Sequence, residues 1–356
     1  MEKTPLDPDL IRSWTPRRIG IVGAGAMGTS LASILGSTVP VVIIERNADR
    51  AAQILRDGVK TTGLIESSGE PIVVRRINDL ARIGGISALF VATKTTAIPS
   101  VAQELAPIME DIADQEAGML CVSYQNGIEP GRQLMEMLSS PRVLRMVLNF
   151  GAMIDAKTGA VHVGMNQPPH AIGSLNESIR PAAERIADLL TAAGLETEFD
   201  EDIESLVWQK GIVNAAANPV TALVNSTVGE TMHSPAGLIV RKLLREGKSV
   251  AEAEGIKLGD DFETGALALL EAAGKHTPSM VEDIRQGRES EIGQLNRQII
   301  EHAKRLGVEV PTHTIIDALI ETFDWKVYQR SHAGRKARGA GPTPDITIGK
   351  INEPRP

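Results

Sequence analysis

The stretch IGIVGAGAMG, residues 19–28, decides the fold of the N-terminal half of this chain. A short apolar run leads directly into a GxGxxG turn, and the turn opens a helical pattern. In such a turn the first glycine permits the tight bend, the second lets the backbone approach a pyrophosphate, and the third lets helix and strand pack closely. The free N–H groups at the start of the helix favour the phosphates. The stretch therefore predicts a dinucleotide site at Gly23, Gly25, Ala26, Met27 and Gly28.

The context of the turn strengthens this prediction, because a lone GxGxxG is weak evidence. Helical spacing from Ala26 to Leu35 is followed by a second β-branched run, Val39 to Ile44, which completes a βαβ unit. That context favours a dinucleotide over a plain turn. A flavin is the alternative ligand, but the short N-terminal lead and the lack of a second flavin-type signature favour a nicotinamide cofactor.

Strand and helix signals continue to alternate up to about Phe199, which predicts a mostly parallel, doubly wound sheet of the Rossmann type. Within it, Ala160 to Val163 and Ala171 to Gly173 are expected to form a hairpin or edge pair. Beyond residue 200 the signals are almost all helical, including Ser205 to Val224 and a Ser-Pro helix start at Ser234. The fold class is therefore α/β plus all-α: a Rossmann sheet followed by a helical C-terminal domain.

Four segments follow from these patterns, each with a predicted role. Residues 1–16 are polar and proline-containing and are predicted to be an N-terminal extension, and residues 17–199 the dinucleotide-binding domain. Residues 200–330 are predicted to be a helical substrate and catalytic domain, with its last helix running from Pro311 to about Tyr328. Residues 331–356, rich in Gly, Pro and charge, are expected to form a flexible tail.

Composition excludes several classes of function. Aromatic residues make up 3% of the chain and the formal net charge is −8, so no nucleic-acid partner is expected. No window approaches the roughly 18 apolar residues of a membrane span, so no membrane partner is expected. The single cysteine, Cys121, and the lack of an apolar signal core favour a cytoplasmic protein. The histidines have no metal-ligand spacing, so no metal site is predicted.

The end of the second predicted strand bears on the choice of cofactor. Glu45 and Arg46 stand about 20 residues beyond the glycines, where a Rossmann domain reads the adenosine ribose. A carboxylate at Glu45 would bind the ribose diol, whereas Arg46 would attract a 2′-phosphate. The alternative interpretation is that one of the two is only a solvated surface charge. The two signals conflict, and the balance slightly favours NADP(H) over NAD(H).

A second set of polar residues lies in the helical half. In the segment KGIVNAAANPVTA, residues 210–222, Lys210, Asn214 and Asn218 are spaced four apart, which places them on one helix face. A lysine and two amides within an apolar segment are costly unless they are paired or used. The segment SMVEDIRQGRESEI, residues 279–292, is also dense in polar groups; alone it indicates a loop and a capped helix, with its acids on a solvated face.

Together these two segments resemble the ketopantoate reductase (2-dehydropantoate 2-reductase) family, and the resemblance runs from about Ile19 to about Tyr328. It implies NAD(P)H-dependent reduction of a 2-keto acid to the 2-hydroxy acid. Under it, Lys210 matches the catalytic lysine that donates the proton, and Glu291 the glutamate that supports it. The substrate-binding positions that the resemblance implies are Asn126, Asn214, Asn218, Ser279 for the carboxylate, and Asp283.

The resemblance also implies cofactor contacts. Lys94 matches a lysine beside the cofactor, Asn126 an asparagine near the nicotinamide, and Arg46 the arginine that reads the 2′-phosphate of NADPH. Its partner would be a small carbonyl or hydroxy acid, and a homodimer through the helical half is common in the family. Two departures are visible. Glu45 stands where the family more often has a small or neutral residue, and residues 225–229 do not clearly reproduce a further substrate-side asparagine.

These departures keep two alternatives open. The first retains the fold but changes the substrate, to another 2-keto acid, a hydroxy compound oxidised with NAD, or an opine-type condensation. The second is a non-catalytic NADP(H) sensor, against which the presence of both Lys210 and Glu291 argues, because a sensor needs no proton donor.

Overall fold

The computed structural model describes residues 7–337 of the chain. Predicted features within residues 1–6 and 338–356, which include most of the expected flexible tail, lie outside the described residues. The strands, in chain order, are β1 Ile19–Val22, β2 Val41–Ile44, β3 Val59–Gly63, β4 Ser67–Gly69, β5 Ile72–Val74, β6 Ala88–Val91, β7 Leu120–Ser123, β8 Val143–Val147, β9 Phe150–Ile154, β10 Val161–Asn166, β11 His170–Ser174 and β12 Thr197–Phe199. The helices are α1 Pro8–Ser13, α2 Ala26–Leu35, α3 Ala48–Asp57, α4 Leu80–Ile83, α5 Ile98–Leu105, α6 Pro130–Leu138, α7 Arg180–Ala192, α8 Ile203–Val224, α9 Val228–His233, α10 Gly237–Glu254, α11 Phe262–Ala272, α12 Ser279–Arg285, α13 Asn296–Leu306 and α14 Pro311–Ala337.

The main sheet has eight strands in the order β12-β11-β8-β7-β6-β1-β2-β5. From β5 to β8 all pairs are parallel, and their sequence follows the 3-2-1-4-5-6 order of a Rossmann domain. Strands β1, β2, β6 and β7 are buried at every position, as expected for a parallel sheet covered on both faces. The predicted Rossmann fold is confirmed, and the reversal of strand order between β1 and β6 places the crevice for a ligand beside the glycine turn.

The predicted hairpin of β10 and β11 is wrong. Strand β11 pairs with β8 and β12 in the main sheet, whereas β10 pairs with β9 and β3 in a second sheet of order β4-β3-β10-β9. The apolar residues of β10 alternate with exposed ones, since Val161 and Val163 are buried while His162 is exposed. That alternation is typical of a sheet with one solvated face, which cannot continue the doubly covered main sheet.

The N-terminal segment is not a separate extension over residues 8–14. Helix α1 begins at Pro8 after its N-cap Asp7, and both Ile11 and Trp14 are fully buried in the core cluster that includes α7. The Thr15 backbone N–H donates to the Gln115 side chain, which returns a bond to the Thr15 carbonyl oxygen. Sequence patterns missed this role because two apolar residues among polar ones give no clear period.

The helical half is built around α8, which packs against α9, α10, α11, α12, α13 and α14. Its apolar core is a separate cluster from the two clusters that cover the main sheet. We therefore propose that the boundary between the two domains lies between residues 199 and 200. Helix α14 continues to Ala337, so the expected loose tail does not begin at residue 331. Within residues 7–337 no helix is long and apolar enough to cross a membrane.

Candidate active site

The carboxyl ends of three neighbouring strands place the first group of candidate residues together. Strand β1 leads into the glycine turn, β6 is followed by Lys94, and β7 by Asn126. Because these strands are parallel neighbours, all three segments meet at one edge of the sheet. Ligands of open α/β sheets bind at this edge, next to the reversal of strand order.

The glycine turn has the close contacts that its motif requires. Gly23 has φ +97, and a Cβ there would lie 3.0 Å from the side chain of Thr93. A Cβ on Gly28 would lie 1.9 Å from the Gly23 carbonyl oxygen, so only glycine lets α2 pack this close to β1. In front of Gly25 nothing lies within 4 Å of the position of a Cβ. The first turn of α2 has neither an acidic residue nor a capping side chain, so its N–H groups can donate hydrogen bonds to the phosphates of a dinucleotide.

Glu45 and Arg46 have different environments at the end of β2. The Glu45 carboxylate accepts hydrogen bonds from the backbone N–H of Ala24, at 3.0 Å, and of Asn47, at 2.6 Å. The Arg46 side chain is more than half exposed and forms an ion pair with Glu104. Arg75 donates to the carbonyl oxygens of both Glu45 and Arg46. Both residues therefore lie beside the glycine turn, with Glu45 held by backbone N–H groups and Arg46 exposed and, in the described part of the chain, paired only with a carboxylate.

Lys94 joins the sheet edge to the helical half. Its Nζ lies 3.3 Å from Asp283 and donates to the Glu289 carbonyl oxygen at 3.1 Å. Asp283 is almost fully buried, and its other carboxylate oxygen accepts from Arg288 at 2.8 Å. Asp283 therefore holds the 283–291 segment against this sheet edge by ion pairs with Lys94 and Arg288.

Glu291 lies in the same cluster. Burial raises the pKa of the Glu291 carboxyl, while the nearby Lys94 charge and a hydrogen bond from the Asn126 side chain act in the opposite direction. The preceding residue, Ser290, is fixed by Asp324, which accepts from both its N–H and its hydroxyl. The cluster thus contains a largely buried carboxylate that touches Asn126, at the point where the two halves of the chain meet.

Lys210 lies on helix α8 of the helical half. Its Nζ donates to the carbonyl oxygen of Leu148, directly after β8. Burial, together with the charge of Arg145, lowers the pKa of Lys210 to about 8. A lysine with this pKa is protonated at neutral pH yet gives up its proton more easily than a surface lysine, which suits a general acid.

A small pocket joins Lys210 to Asn126. Its lining is Tyr124, Gln125, Asn126, Gly127, Arg145, Met146, Val147, Val207, Lys210, Gly211 and Asn214. The pocket therefore brings together the loop after β7, strand β8 and helix α8. Asn218 lies one helical turn beyond Asn214 and is half-buried, and Ser279 is exposed at the first position of α12.

Two features of the site differ from the expectations drawn from sequence. Among residues 7–337, the charge that acts on the pKa of Lys210 is Arg145, while Glu291 shares a hydrogen bond with Asn126 and lies near the charge of Lys94, which gives two groups. That Glu291 supports Lys210 stays a prediction. Asn126 is the residue that both groups share. Sequence reasoning also missed Arg145, for which the available signal was a single arginine inside the apolar run of β8.

Comparisons with known proteins agree with this geometry. Residues 19–177 match the family described as ketopantoate reductase PanE/ApbA, and residues 202–323 match its C-terminal domain. The 2-dehydropantoate 2-reductase of Archaeoglobus fulgidus is 26% identical over 295 residues, covering 82% of this chain and 93% of the relative. The enzyme of the same name from Streptococcus pyogenes serotype M3 is 26% identical over 309 residues, covering 84% and 95%.

Solved structures show the same fold. A PanE/ApbA family ketopantoate reductase from Ralstonia eutropha JMP134 superposes with a TM-score of 0.77 at 23% identity, covering 87% of this chain and 99% of the other. A D-mandelate dehydrogenase in ternary complex with NADH and anilino(oxo)acetate superposes with a TM-score of 0.76 at 21% identity and the same coverage. Since the two family matches together span both the sheet edge and the Lys210 helix, this chain belongs to the ketopantoate reductase family and is an oxidoreductase.

Proposed function

We propose that this enzyme reduces the carbonyl of a 2-keto acid to the 2-hydroxy acid, ketopantoate to pantoate or a close analogue, with Lys210 as the general acid. The observation that carries the proposal is the buried Lys210 ammonium in one pocket with Asn126, at the sheet edge that begins with the glycine turn. The family's curated relatives named 2-dehydropantoate 2-reductase support ketopantoate as the first substrate to test.

The glycine turn fits a dinucleotide. The open space in front of Gly25 and the uncapped first turn of α2 would take the pyrophosphate, with contacts from Ala26 and Met27, and Lys94 would lie beside the cofactor. When bound, the reduced nicotinamide supplies the hydride that adds to the carbonyl carbon of the substrate.

Lys210 supplies the proton. As negative charge develops on the carbonyl oxygen, the Lys210 ammonium donates a hydrogen bond to it and then transfers the proton from Nζ. The same positive charge attracts the substrate carboxylate into a pocket with little water. The Leu148 carbonyl oxygen holds Nζ at the pocket until substrate is present.

The surrounding residues orient the substrate. Asn214 lines the pocket from α8, and Asn218 lies one turn further along the same face. Ser279, at the exposed start of α12, would hold the substrate carboxylate. Glu291 would act on Asn126, with which it shares a hydrogen bond, and so fix the amide that faces the nicotinamide. Correct alignment of carbonyl and cofactor accounts for much of the rate of such a reaction.

We assign NADP(H) as the preferred cofactor. Both oxygens of the Glu45 carboxylate already accept backbone N–H groups, which leaves Glu45 less able to repel a 2′-phosphate. Arg46, Arg75 and Arg50 surround the same strand end with positive charge. A planar guanidinium that can turn towards the ligand suits a phosphate. A homodimer through the helical half, where Ile315 and Leu319 of α14 are exposed, and a cytoplasmic location complete the proposal.

A second candidate is an NAD-dependent 2-hydroxy acid dehydrogenase. Glu45 favours it, because a carboxylate at this position can bind the ribose diol of NAD(H). The structural similarity to a D-mandelate dehydrogenase that was solved with NADH supports the same reading. The two candidates differ in preferred substrate and cofactor, and they share Lys210.

The test measures steady-state reduction of ketopantoate, and of a panel of other 2-keto acids, with NADPH and with NADH. Lys210→Ala should lower kcat by about 10²- to 10⁴-fold, because a positioned general acid contributes that much. Glu291→Ala should lower kcat as well. Lys248→Ala, which removes a surface lysine paired with Glu252 on α10, is the matched control and should leave kcat unchanged.

Near-normal turnover of Lys210→Ala with NADPH bound would show that the assigned role is wrong. A preference for NADH together with an aromatic 2-keto acid would select the second candidate. Tight binding of NADPH with no oxidation across the whole panel would indicate a sensor instead of an enzyme.

A further inference from the structure

Arg145 is a buried cation at the wall of the Lys210 pocket. It lies on β8 opposite Ser123 of β7, and its side chain is 4% exposed. The guanidinium donates to the carbonyl oxygens of Gln125, at 2.6 Å, and of Gly127, at 2.8 Å. It also donates to the Ser123 carbonyl and hydroxyl oxygens at 3.3 Å and 3.1 Å. The Arg145 side chain thus holds the loop of residues 124–127 from the side of the sheet.

Burial of the Arg145 charge lowers the stability of the fold, so we expect the charge to have a role. Burial lowers the pKa of Arg145 to about 10, so the group is still protonated at neutral pH. Among residues 7–337, every hydrogen bond that Arg145 donates goes to an uncharged oxygen, and its Nε has no partner. Burying an ion without an opposite charge costs several kcal/mol. An apolar residue, like those that fill the rest of β8, would avoid that cost.

The loop that Arg145 holds is the one that carries Asn126. Gly127 has φ +106, and a Cβ there would lie 2.6 Å from the Gln294 carbonyl oxygen of the helical half. The backbone N–H groups of Ile128 and Glu129 donate to the Gln298 side chain. The loop is therefore held from the sheet side by Arg145 and from the helical side by Gln298.

We propose that Arg145 is a positioning residue of this site: it shapes the loop that presents Asn126 and places a second, unneutralised positive charge beside Lys210. The proposal rests on the proposed role of Lys210. Its consequence is that Arg145 sets the pH range in which Lys210 can release a proton, because a neighbouring like charge favours the neutral amine.

The groups that face Lys210 are few, and most keep one charge state across the alkaline range. Arg145 faces it from β8, and His170 from β11. Burial and the Lys210 charge lower the pKa of His170 to about 4, so His170 is neutral above pH 6 or so. Tyr124 lines the pocket from the loop, and burial raises the pKa of its hydroxyl far above neutrality. Glu291, from the segment before α13, shares a hydrogen bond with Asn126 and is acted on by the charge of Lys94.

The experiment compares three variants of the full chain. Arg145→Met and Arg145→Gln remove the charge, whereas Arg145→Lys keeps it and loses the planar fork of donors. Arg142→Met is the matched control, since Arg142 directly precedes the same strand and pairs with Glu110 at its other end. Two curves are recorded for each: kcat/KM for 2-keto acid reduction against pH, and the rate of acetylation of Lys210 by acetic anhydride against pH, read by mass spectrometry without substrate.

Wild type should lose activity as the pH rises through about 8. Removal of the Arg145 charge should move both curves to higher pH by at least about half a unit, while burial keeps them below the value of an ordinary lysine. Arg145→Lys should keep the wild-type pH profile and lower kcat/KM through a looser loop. Arg142→Met should change neither curve.

Two outcomes would overturn the proposal: unchanged curves in the charge-removing variants, or an equal displacement in Arg145→Lys, which would assign the effect to packing. Should Arg145→Met fail to fold, Arg145→Gln and Arg145→Lys still decide between charge and packing. Failure of the proposed function would be seen separately, as absence of 2-keto acid reduction in wild type or its persistence in Lys210→Ala. The acetylation curves need no turnover and would still report the Lys210 charge.

Discussion

At the scale of single residues, the end of β2 places opposite charges next to each other. Glu45 is tied to the glycine turn through Ala24, whereas Arg46 projects towards solvent and pairs with Glu104. An exposed ion pair contributes little to stability, so Arg46 loses little when it exchanges Glu104 for a phosphate. Glu45 cannot move without releasing two backbone N–H groups. The mobile partner should therefore read the 2′-phosphate, and the fixed one should support the turn.

This difference predicts the effect of substitutions on cofactor choice. Arg46→Ala should reduce kcat/KM for NADPH by about tenfold or more, because hydrogen bonds to charged groups contribute about 1.5–3 kcal/mol, and should change kcat/KM for NADH little. Glu104→Gln, which removes the competing partner, should not weaken NADPH use. Parallel assays with both cofactors measure the ratio, and an equal loss with NADH and NADPH in Arg46→Ala would contradict the assignment.

Single residues also show how far the sequence could specify the site. The lysine and amides of α8 were recognisable because polar groups at a spacing of four stand out in an apolar helix. The contacts between distant segments could not be recognised from the sequence. Glu291 was expected to support Lys210; the hydrogen bond that it shares with Asn126 and the nearby charge of Lys94 depend on how the segment before α13 crosses the sheet edge. Arg145 was missed because its partners are carbonyl oxygens, which no side-chain pattern reveals.

At the scale of elements, the turn between β1 and α2 has two glycines with different physical roles. Gly28 lies in the contact between helix and strand, where a Cβ would meet the Gly23 carbonyl oxygen at 1.9 Å. Gly25 faces open space, where a Cβ meets no protein atom within 4 Å. The two roles can therefore be separated, because one glycine serves packing and the other serves the ligand.

Alanine substitutions should separate them. Gly28→Ala should lower the free energy of unfolding by about 1–3 kcal/mol, since α2 must move away from β1, and should weaken cofactor binding as well. Gly25→Ala should leave the thermal midpoint near that of wild type and weaken NADPH binding by about tenfold, since its methyl group occupies the approach of the pyrophosphate. Thermal unfolding and titration of NADPH check both; loss of stability in Gly25→Ala without loss of affinity would contradict the assignment.

The elements also differ in how well sequence predicted them. The buried parallel strands were identified because continuous β-branched runs are typical of a covered sheet. Strands β3, β4 and β9 of the second sheet were not identified: β3 and β4 are short and rich in glycine and hydroxyl residues, and no residue of β9 is fully buried. Helix α9 was missed for a similar reason: it has six residues and is stabilised by its Thr227–Glu230 capping box.

At the scale of the whole molecule, His302 joins the two halves of the chain. Its Nε2 lies 2.8 Å from Glu129, directly before α6 of the sheet half, and its Nδ1 lies 3.0 Å from Glu254 at the end of α10. The imidazole also packs edge-on against Trp208 of α8. Hydrogen bonds to Glu129 and Glu254 raise the pKa of His302 although burial opposes them. The contacts of His302 with both carboxylates therefore join the two halves at Glu129, three residues from Asn126, and protonation of the imidazole strengthens them.

The contribution of His302 to the stability of the protein should consequently fall with rising pH above neutrality. Because the folded-state pKa of His302 lies above the ordinary value of about 6.5, its contribution is complete below that value and is lost as the pH rises through the folded-state pKa.

His170 and His313 act in the opposite sense: burial lowers the pKa of each to about 4, so stability is lost as the pH falls from about 6.5 towards 4. Lys210 opposes His302 at alkaline pH, because burial lowers its pKa to about 8 and its contribution to stability rises as the pH goes from about 8 towards 10.5. The contribution of His302 is therefore measured as the difference between wild type and variant. His302→Gln should flatten the decline above neutrality and leave the acidic limb in place, whereas His162→Gln, which removes an exposed imidazole on β10, should leave both limbs unchanged. Thermal midpoints of wild type and both variants, measured from pH 5 to about 9, test this prediction. If the midpoint of His302→Gln declines above neutrality as much as that of wild type, another group causes the decline.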